Sequence, residues 1–269
     1  MTGFRLAKGG LVDRSTALNF QFDGKVFSGL AGDTLASALI ANDVHLMGRS
    51  FKYHRPRGVI SAGSSEPNAL VELREGPRKE ANTRATMIEL YDGLVAKSQN
   101  RWPSLDLDVG ALNSIVSAMF VAGFYYKTFM WPKSFWEKIY EPIIRKAAGL
   151  GVASKEADPD KYEKAYAHCD LMVVGSGPTG LMAALAAARS GARVILADES
   201  AALGGSLLNE NEEIGGQSGG YWAAGVIAEL ASMSNVTLMP RTTIFGWYDD
   251  NIFGAVERVN DRMAPLAAQ

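Results

Sequence analysis

Three regularly spaced glycines form the strongest chemical signal in this sequence. They lie in VVGSGPTG and have the G-x-G-x-x-G spacing. In that pattern the first glycine permits a tight turn from strand to helix, the second lets a pyrophosphate approach the backbone, and the third lets the helix pack against the strand. The N–H groups that begin the helix then face the anion. We therefore expect this loop to bind the phosphates of a dinucleotide through Gly175, Ser176, Gly177, Pro178, Thr179 and Gly180.

The residues around the loop supply the context that a dinucleotide site needs. Leu171–Val174 reads as a buried strand, Thr179–Arg189 as a helix and Arg193–Ala197 as a second strand. That strand ends in Asp198 and Glu199, where a carboxylate is expected to accept hydrogen bonds from an adenosine ribose. Asp198 is the first choice, and Glu199 is the alternative. Either carboxylate would repel a 2′-phosphate, which favours NAD over NADP.

The elements that follow continue an α/β pattern. We predict a helix over Gly219–Met233, a strand over Val236–Met239, and antiparallel strands over Thr243–Tyr248 and Ile252–Val259. The pattern predicts a Rossmann-like FAD/NAD(P)-binding domain over residues 168–269. The return strand that completes such a fold is not found before Gln269, so we expect a truncated domain.

The first part of the chain, residues 15–97, reads as a small α+β domain. A hairpin is predicted around Asp23-Gly24, and a helix begins after Asp33 or Thr34. A strand is predicted over Ala69–Leu73. Between these elements lies a basic segment that interleaves Arg49, Lys52, Arg55 and Arg57 with Phe51, Tyr53 and His54. It is either a solvated loop or a site for an anionic cofactor or an acidic partner surface.

Residues 98–165 are expected to form a mostly helical connector. The segment is rich in aromatic side chains: Trp102, Phe120, Phe124, Tyr125, Tyr126, Phe129, Trp131, Phe135, Trp136 and Tyr140. Such a density favours packing against another domain or subunit. The stretch 109–126 is apolar but interrupted by polar residues, which favours a buried helix over a membrane span. Ser154–Tyr166 is charged, and we interpret it as a linker or an exposed helix.

Composition narrows the possible chemistry. The formal net charge of −2 argues against nucleic acid as a partner. The single cysteine, Cys169, excludes an internal disulfide and any four-thiolate metal or iron–sulfur site, and the three histidines have no metal-ligand spacing. No acid–base or nucleophilic set is found, so we assign no catalytic residue and no metal ligand. The charged N-terminus lacks a signal-peptide core, which predicts a cytoplasmic protein without a membrane span.

Several blocks of the sequence resemble one family far more specifically than the glycine motif does. In chain order they are GDTLASALIAN, GRSFKYHRPRG, EPNALVEL, DGLVAKSQNRWPS, AGFYYKTFMWP, IRKAAGLG and GSGPTG. Together they resemble the N-terminal portion of the α subunit of heterotetrameric sarcosine oxidases, with opine oxidase and hydrogen-cyanide synthase subunits as more distant relatives. The double glycine Gly204-Gly205 resembles one that lies near the pyrophosphate in flavoproteins with two dinucleotide-binding domains.

The resemblance implies a first domain with a ferredoxin-like (β-grasp) fold. Cluster-binding relatives carry cysteines after the RPRG element, where this chain has Ser61, Glu66 and Ala69. We therefore expect a ferredoxin-like domain without an iron–sulfur cluster, which would serve as a structural or partner-binding scaffold.

The resemblance also implies an oxidoreductase complex with beta, gamma and delta subunits as partners. The full complex would oxidise sarcosine to glycine, forming hydrogen peroxide and methylenetetrahydrofolate. NAD is expected in this chain, FAD and FMN in the complex, and tetrahydrofolate in a C-terminal part that this sequence lacks. Whether NAD or FAD occupies the loop, and whether this fragment binds it alone, stays open. The alternatives are a related opine or amine dehydrogenase subunit and a non-catalytic assembly module.

Overall fold

The chain forms two units, each with its own hydrophobic core. The computed structural model describes residues 4–120, 123, 129–148 and 151–259. Unit 1 comprises residues 1–61 and 65–160, and unit 2 comprises residues 62–64 and 161–269. The predicted division into three segments stays a prediction.

Unit 1 is built on a mixed five-stranded sheet. In chain order, its strands and first helix are β1 (Asp13–Phe22), β2 (Lys25–Ala31), α1 (Leu35–Ala41), β3 (Gly48–Arg49), β4 (Pro56–Arg57), β5 (Leu70–Leu73), β6 (Glu80–Arg84) and β7 (Leu94–Ser98). The sheet order is β2-β1-β7-β5-β6, while β3 and β4 form a separate pair. β1 and β7 run parallel, and the other neighbours in the large sheet are antiparallel. The small α+β unit predicted from the sequence is therefore present.

The first hairpin turns at the predicted residues. Asp23 and Gly24 both have positive φ, at 50° and 78°, as the tight turn requires. The turn places Phe20 opposite Phe27 across the two strands, with ring centroids 5.7 Å apart. Phe20 is 1% exposed, so its ring contributes directly to the core of unit 1.

Helix α1 begins with a reciprocal cap at Thr34. The Thr34 side chain accepts a hydrogen bond from the Ser37 amide, and the Ser37 hydroxyl accepts one from the Thr34 amide. Asp33, the other predicted cap, is buried and binds the Arg5 guanidinium through two hydrogen bonds of 3.0 and 2.6 Å. The predicted apolar face of the helix, Leu35, Ala38 and Leu39, is fully buried.

In the described part of residues 98–165, helical structure is confined to short pieces. These are 3₁₀ turns over Val109–Ser114 and Ser117–Phe120, a π-helical turn over Trp136–Tyr140 and α2 (Glu141–Ala148). The predicted buried helix over 109–126 is wrong in its described part, because Leu112 and Ile115 are 59% and 79% exposed. Residues 151–169 form no helix or strand, which makes Ser154–Tyr166 a linker. Phe124, Tyr125 and Tyr126 lie outside the described residues. Within the described ranges, no helix has the length and apolar character to cross a membrane.

Unit 2 places helices against a parallel three-stranded sheet. Its elements are β8 (Leu171–Val174), α3 (Pro178–Arg189), β9 (Val194–Ala197), β10 (Glu213–Ile214), β11 (Gln217–Ser218), α4 (Gly219–Ser232), β12 (Val236–Met239), β13 (Thr242–Tyr248) and β14 (Ile252–Glu257). The sheet order is β12-β9-β8, and β13 and β14 form an antiparallel hairpin. The predicted helices and strands are thus confirmed, with boundaries that differ by at most two residues. The expected burial of Leu171–Val174 is wrong, because β8 lies at the edge of the sheet and Leu171 and Val174 are 37% and 59% exposed.

An ion pair fixes the start of this sheet. The Asp170 carboxylate accepts hydrogen bonds from the side chain and the amide of Arg193, at 2.6 to 3.0 Å. These hydrogen bonds lower the pKa of Asp170 to about 2. The pair joins the residues that precede β8 and β9, so the two strands start in register and their carboxyl ends lie side by side.

The core of unit 1 predicts a large effect of Phe20→Ala. Removing this buried ring should lower the free energy of unfolding of unit 1 by about 3–5 kcal/mol, because a cavity replaces the stacked pair. Denaturant unfolding followed by circular dichroism measures the change. Val26→Ala on β2 is the control, since Val26 is 68% exposed. Equal effects of the two substitutions would contradict the core assignment.

Candidate functional site

The glycine loop connects β8 to α3 in the conformation that its spacing predicts. Gly175 has a φ of 97°, which L side chains rarely adopt, and its amide donates to the Ala197 carbonyl at 2.8 Å. The chain then enters α3 with Gly177 as N-cap and Pro178 in the first turn. The loop therefore turns at the carboxyl end of the parallel sheet, where ligands of open α/β folds bind.

Gly180 lies where any side chain would collide with the loop. A Cβ atom at this position would be 1.9 Å from the Gly175 carbonyl oxygen. The first turn of α3 consequently packs directly on the strand-to-helix turn. This is the packing role that the spacing predicts for the third glycine.

Gly177 has open space where a side chain would be. No heavy atom lies within 4 Å of an ideal Cβ at this residue. The first hydrogen bond of the helix ladder runs from the Leu181 amide to the Gly177 carbonyl at 2.9 Å. The amides of Thr179 and Gly180 precede that bond in the helix and point out of its N-terminus. The residues present thus fit a pyrophosphate, because Gly177 leaves room at the start of the helix and the amides of its first turn have no acceptor within the helix.

Ser176 connects the loop to the end of β9. Its side chain is fully buried, and both its amide and its hydroxyl donate to Asp198 Oδ2, at 2.7 and 2.6 Å. The Ser176 Oγ also accepts a hydrogen bond from the Gly204 amide at 3.0 Å. The sequence presented Ser176 as one more loop residue, and its bracing role was not predicted. The only signal was a hydroxyl side chain between two glycines.

The double glycine packs against the glycine loop. A Cβ on Gly205 would lie 2.8 Å from Gly177 Cα, and both Gly204 and Gly205 have positive φ. The structure therefore brings together the three parts of the predicted site: the loop, Asp198 and Gly204-Gly205.

Asp198 is held by the protein through both carboxylate oxygens. Besides the two bonds from Ser176, Oδ1 accepts a hydrogen bond from the Ser200 amide at 2.8 Å. An ionised carboxylate has about four acceptor positions, so capacity for a ribose hydroxyl remains. Asp198 is half-buried and Glu199 lies beside it, its carbonyl accepting a hydrogen bond from Arg258 at 2.7 Å.

A pocket opens beside these two carboxylates. It is lined by Ser64, Val174, Gly175, Ala197, Asp198, Glu199, Thr242, Thr243 and Ile244, all in unit 2. Thr242 is buried, and its amide donates to the Asp198 carbonyl at 2.8 Å, which fixes the start of β13 against the end of β9. Sequence reasoning assigned no site role to residues 242–244, because nothing in their types suggests one.

Two cations of the basic segment are bound within unit 1. Arg49 donates to the carbonyls of Leu105 and His54, and Arg57 donates to the Asn68 side chain at 2.6 Å. His54 itself is buried and lies 2.6 Å from Asp108. Arg49 is therefore held by part-buried contacts, whereas Arg57 is exposed and its bond lies at the surface, as a solvated loop would have it. A site for an anionic cofactor or an acidic partner in this segment stays a prediction. Among the described residues there is no group of three or more His, Cys, Asp or Glu side chains placed to hold a metal.

Two segments of the chain match known protein families. Residues 15–101 match the 2Fe-2S iron-sulfur cluster binding domain family, and residues 170–213 match the FAD dependent oxidoreductase family. The second match covers the loop, the acidic pair and the double glycine.

Full-length comparison places the chain among known enzyme subunits. It is 63% identical over 268 residues to the sarcosine oxidase subunit alpha of Rhizobium meliloti (strain 1021), covering 100% of this chain and 27% of the relative. The chain is a homologue of sarcosine oxidase subunit alpha. Identity to the corresponding subunit of Corynebacterium sp. (strain P-1) is 37% over 251 residues, covering 92% of this chain and 21% of that subunit. The chain thus spans about a quarter of the length of these curated relatives and matches an N-terminal portion of the subunit.

One solved structure is similar to this chain in its fold, and the similarity carries no information on function. L-proline dehydrogenase from P. horikoshii matches with a TM-score of 0.53 and 17% identity, covering 91% of this chain and 38% of that one. The predicted resemblance to a sarcosine oxidase α subunit, the α/β class and the ferredoxin-like first domain are confirmed. The chain is thus similar to sarcosine oxidase alpha subunits over nearly its whole length and, over residues 170–213, to the FAD dependent oxidoreductase family.

The packing of Gly180 predicts a destabilising Gly180→Ala substitution. The added methyl group has to displace the Gly175 carbonyl, which should cost about 1–3 kcal/mol of the stability of unit 2. Gly225→Ala in α4 is the matched control, because no heavy atom lies within 4 Å of a Cβ there and alanine favours a helix by about 1 kcal/mol. Thermal unfolding of both variants measures the contrast, and a stable Gly180→Ala variant would be incompatible with this packing.

Proposed function

We propose that unit 2 binds the ADP half of a dinucleotide and thereby forms the nucleotide-binding part of a flavoprotein oxidoreductase of the sarcosine oxidase type. The observation that carries the proposal is the open space at Gly177 in front of the α3 amides. Elsewhere in the site, glycine is required by close contacts or by backbone angle. At Gly177 it leaves room that the protein does not fill.

The pyrophosphate is expected to lie between the helix and the double glycine. The amides of Thr179 and Gly180 and the positive end of the helix dipole favour an anion at this point. Gly205 approaches Gly177 closely and limits the space on the side opposite the helix. The chain's own residues thus bind and orient the cofactor, while a bound flavin or nicotinamide would supply the redox chemistry.

The ribose of the adenosine is expected to bind at Asp198. Asp198 lines the pocket that also includes Glu199 and Thr242, and its carboxylate keeps acceptor capacity. The hydrogen bonds from Ser176 and Ser200 fix the carboxylate before the ligand arrives, which reduces the entropy lost on binding. Glu199 is the alternative ribose ligand. A carboxylate here disfavours NADP, as the sequence already indicated.

NAD and FAD share the ADP half that this site recognises. The family match of residues 170–213 favours FAD. NAD is the ligand proposed from the acidic end of β9 and from the resemblance, and it has no support from the family match. The titration described below distinguishes the two.

We further propose that this chain acts as part of a larger enzyme. The relatives are named as alpha subunits of sarcosine oxidase, so sarcosine oxidation to glycine, with hydrogen peroxide and methylenetetrahydrofolate as products, is proposed for the complete complex. FMN and tetrahydrofolate would then bind outside this chain, with beta, gamma and delta subunits as partners. No catalytic residue is assigned within residues 1–269.

The segment between the sheet of unit 1 and the linker supports a role in assembly. It exposes large apolar side chains, each at least 59% accessible: Trp102, Leu107, Leu112, Ile115, Trp131 and Ile143. Where exposed apolar side chains form a contiguous patch, the patch commonly marks a contact surface for a partner. We propose that this exposed apolar segment contacts other subunits of the complex.

Gly177→Ala provides a sharp test of nucleotide binding. Gly177 has a φ of −65°, which alanine adopts freely, so folding should be unaffected. Its methyl group would occupy the pyrophosphate space and lower the affinity at least tenfold, about 1.4 kcal/mol. Isothermal titration of the 269-residue chain with NAD and, separately, with FAD gives both affinities.

The outcomes separate the competing functions. Binding of NAD alone or FAD alone identifies the cofactor, and Gly225→Ala should bind like the wild type. Equal affinity of Gly177→Ala and wild type would contradict the proposed phosphate position. If the folded wild-type chain bound neither cofactor, the non-catalytic assembly module would be favoured. If the complete complex oxidised an opine but not sarcosine, the related opine dehydrogenase would be favoured.

The assembly proposal predicts a partner-specific effect of Trp131→Ala. Truncating an aromatic anchor typically costs about 2 kcal/mol of binding free energy, which is roughly thirtyfold in affinity. Co-expression with the other sarcosine oxidase subunits, followed by affinity co-purification, measures the loss. Tyr166→Ala is the control, because this side chain is 96% exposed and lies in the linker. If Trp131→Ala co-purified with the other subunits as well as the wild type does, the exposed apolar segment would not be part of the interface.

A further inference from the structure

Unit 1 contains a complete anion site that is occupied by the chain's own carboxylate. Glu66 is 0% exposed. Its Oε2 accepts hydrogen bonds from the amides of Ile60 and Ser61, at 2.7 and 2.8 Å. Its Oε1 accepts from the amides of Asn68 and Ala69, at 2.6 and 3.1 Å. Four backbone donors from both sides of a loop therefore converge on one buried side chain.

The arrangement favours the charged form of Glu66. Burial by itself raises the pKa of this carboxyl, but the four backbone hydrogen bonds outweigh burial and hold the pKa below its usual value. A fully buried glutamate is rare, because leaving its charge without partners would be very costly. Here neutral amides satisfy both oxygens, so the site binds a negative charge specifically.

The loop around Glu66 lies in a region that matches a family of iron–sulfur cluster binding domains. Residues 15–101 match the 2Fe-2S iron-sulfur cluster binding domain family. Such clusters are held by four cysteine thiolates, or by two cysteines and two histidines in the Rieske type. The single cysteine of this chain, Cys169, lies outside the matched region. The residues present therefore do not fit the cluster.

The backbone N–H groups of the loop still need a negative partner. Concave sets of amides are a common way to hold phosphates and iron–sulfur clusters. Ser61, Glu66 and Ala69 stand at the positions where the resemblance places cluster cysteines. The structure shows that the Ser61 and Ala69 amides both donate to Glu66. Of these three positions, one thus supplies the anion and the other two supply donors.

We propose that Glu66 replaces an iron–sulfur cluster as the anion that holds residues 60–69 in their folded conformation. The loop keeps its shape without a metal, and unit 1 acts as a scaffold with no electron-transfer role. This inference is independent of nucleotide binding by unit 2.

Glu66→Gln tests the proposal most directly. The amide nitrogen of glutamine cannot accept a hydrogen bond, so it would face two N–H donors at close range. The melting temperature of unit 1 should fall by at least about 5 °C. Glu75→Gln is the matched control, because Glu75 is 64% exposed and forms a surface ion pair with Lys97, and its shift should stay within about 2 °C. A Glu66→Gln shift no larger than the control would overturn the proposal.

Measurements on the wild-type chain keep the test decisive if Glu66→Gln does not fold. Hydrogen exchange should be slowed at least about 100-fold at the amides of Ile60, Ser61, Asn68 and Ala69, relative to an unstructured chain. Anaerobic incubation with ferrous iron and sulfide, followed by desalting, should leave no bound iron. Free exchange at these amides, or retention of about two iron atoms per chain, would overturn the proposal.

Discussion

The interaction on which the site depends is the pair of hydrogen bonds from Ser176 to Asp198. It connects the turn after β8 to the end of β9, and through the Gly204 amide it also fixes the double glycine. Without this contact, the glycine loop would be joined to the rest of the site mainly through its backbone bond to Ala197. A buried hydroxyl bound to a carboxylate is also a strong, charge-assisted hydrogen bond. The open space at Gly177 is therefore a preformed feature of the fold.

Both units contain backbone N–H groups that require an acceptor, and they differ in where that acceptor comes from. Each contains a loop whose backbone N–H groups point toward one place, and such groups are stable only when an anion or water satisfies them. In unit 1 the loop closes on the buried Glu66, so the charge is part of the chain. In unit 2 the first-turn amides of α3 have no acceptor within the helix, and under our proposal the charge arrives with a ligand. Under the two proposals, residues 15–101, which match an iron–sulfur family, act as a scaffold, and the glycine loop of unit 2 binds a ligand.

Local chemistry made much of the fold predictable. Asp23-Gly24 fixes the first hairpin, Thr34 caps α1, and the glycine spacing identifies the turn between β8 and α3, because each depends on residues close in sequence. The contacts that complete the site join distant residues. Thr242 meets Asp198 only because β13 starts beside β9, and Ser176 meets Asp198 across 22 positions. Glu66 illustrates the same limit, since a lone glutamate in a loop predicts a solvated side chain until the fold closes around it.

The central claim is that the N-terminus of α3 binds the phosphates of an ADP-containing cofactor. The most direct measurement is a crystal structure of the chain in complex with ADP, the fragment common to NAD and FAD. We expect phosphate oxygens within hydrogen-bond distance of the Thr179 and Gly180 amides, above Gly177, with a ribose hydroxyl at Asp198 or Glu199. ADP bound elsewhere, or phosphates placed away from Gly177, would contradict it.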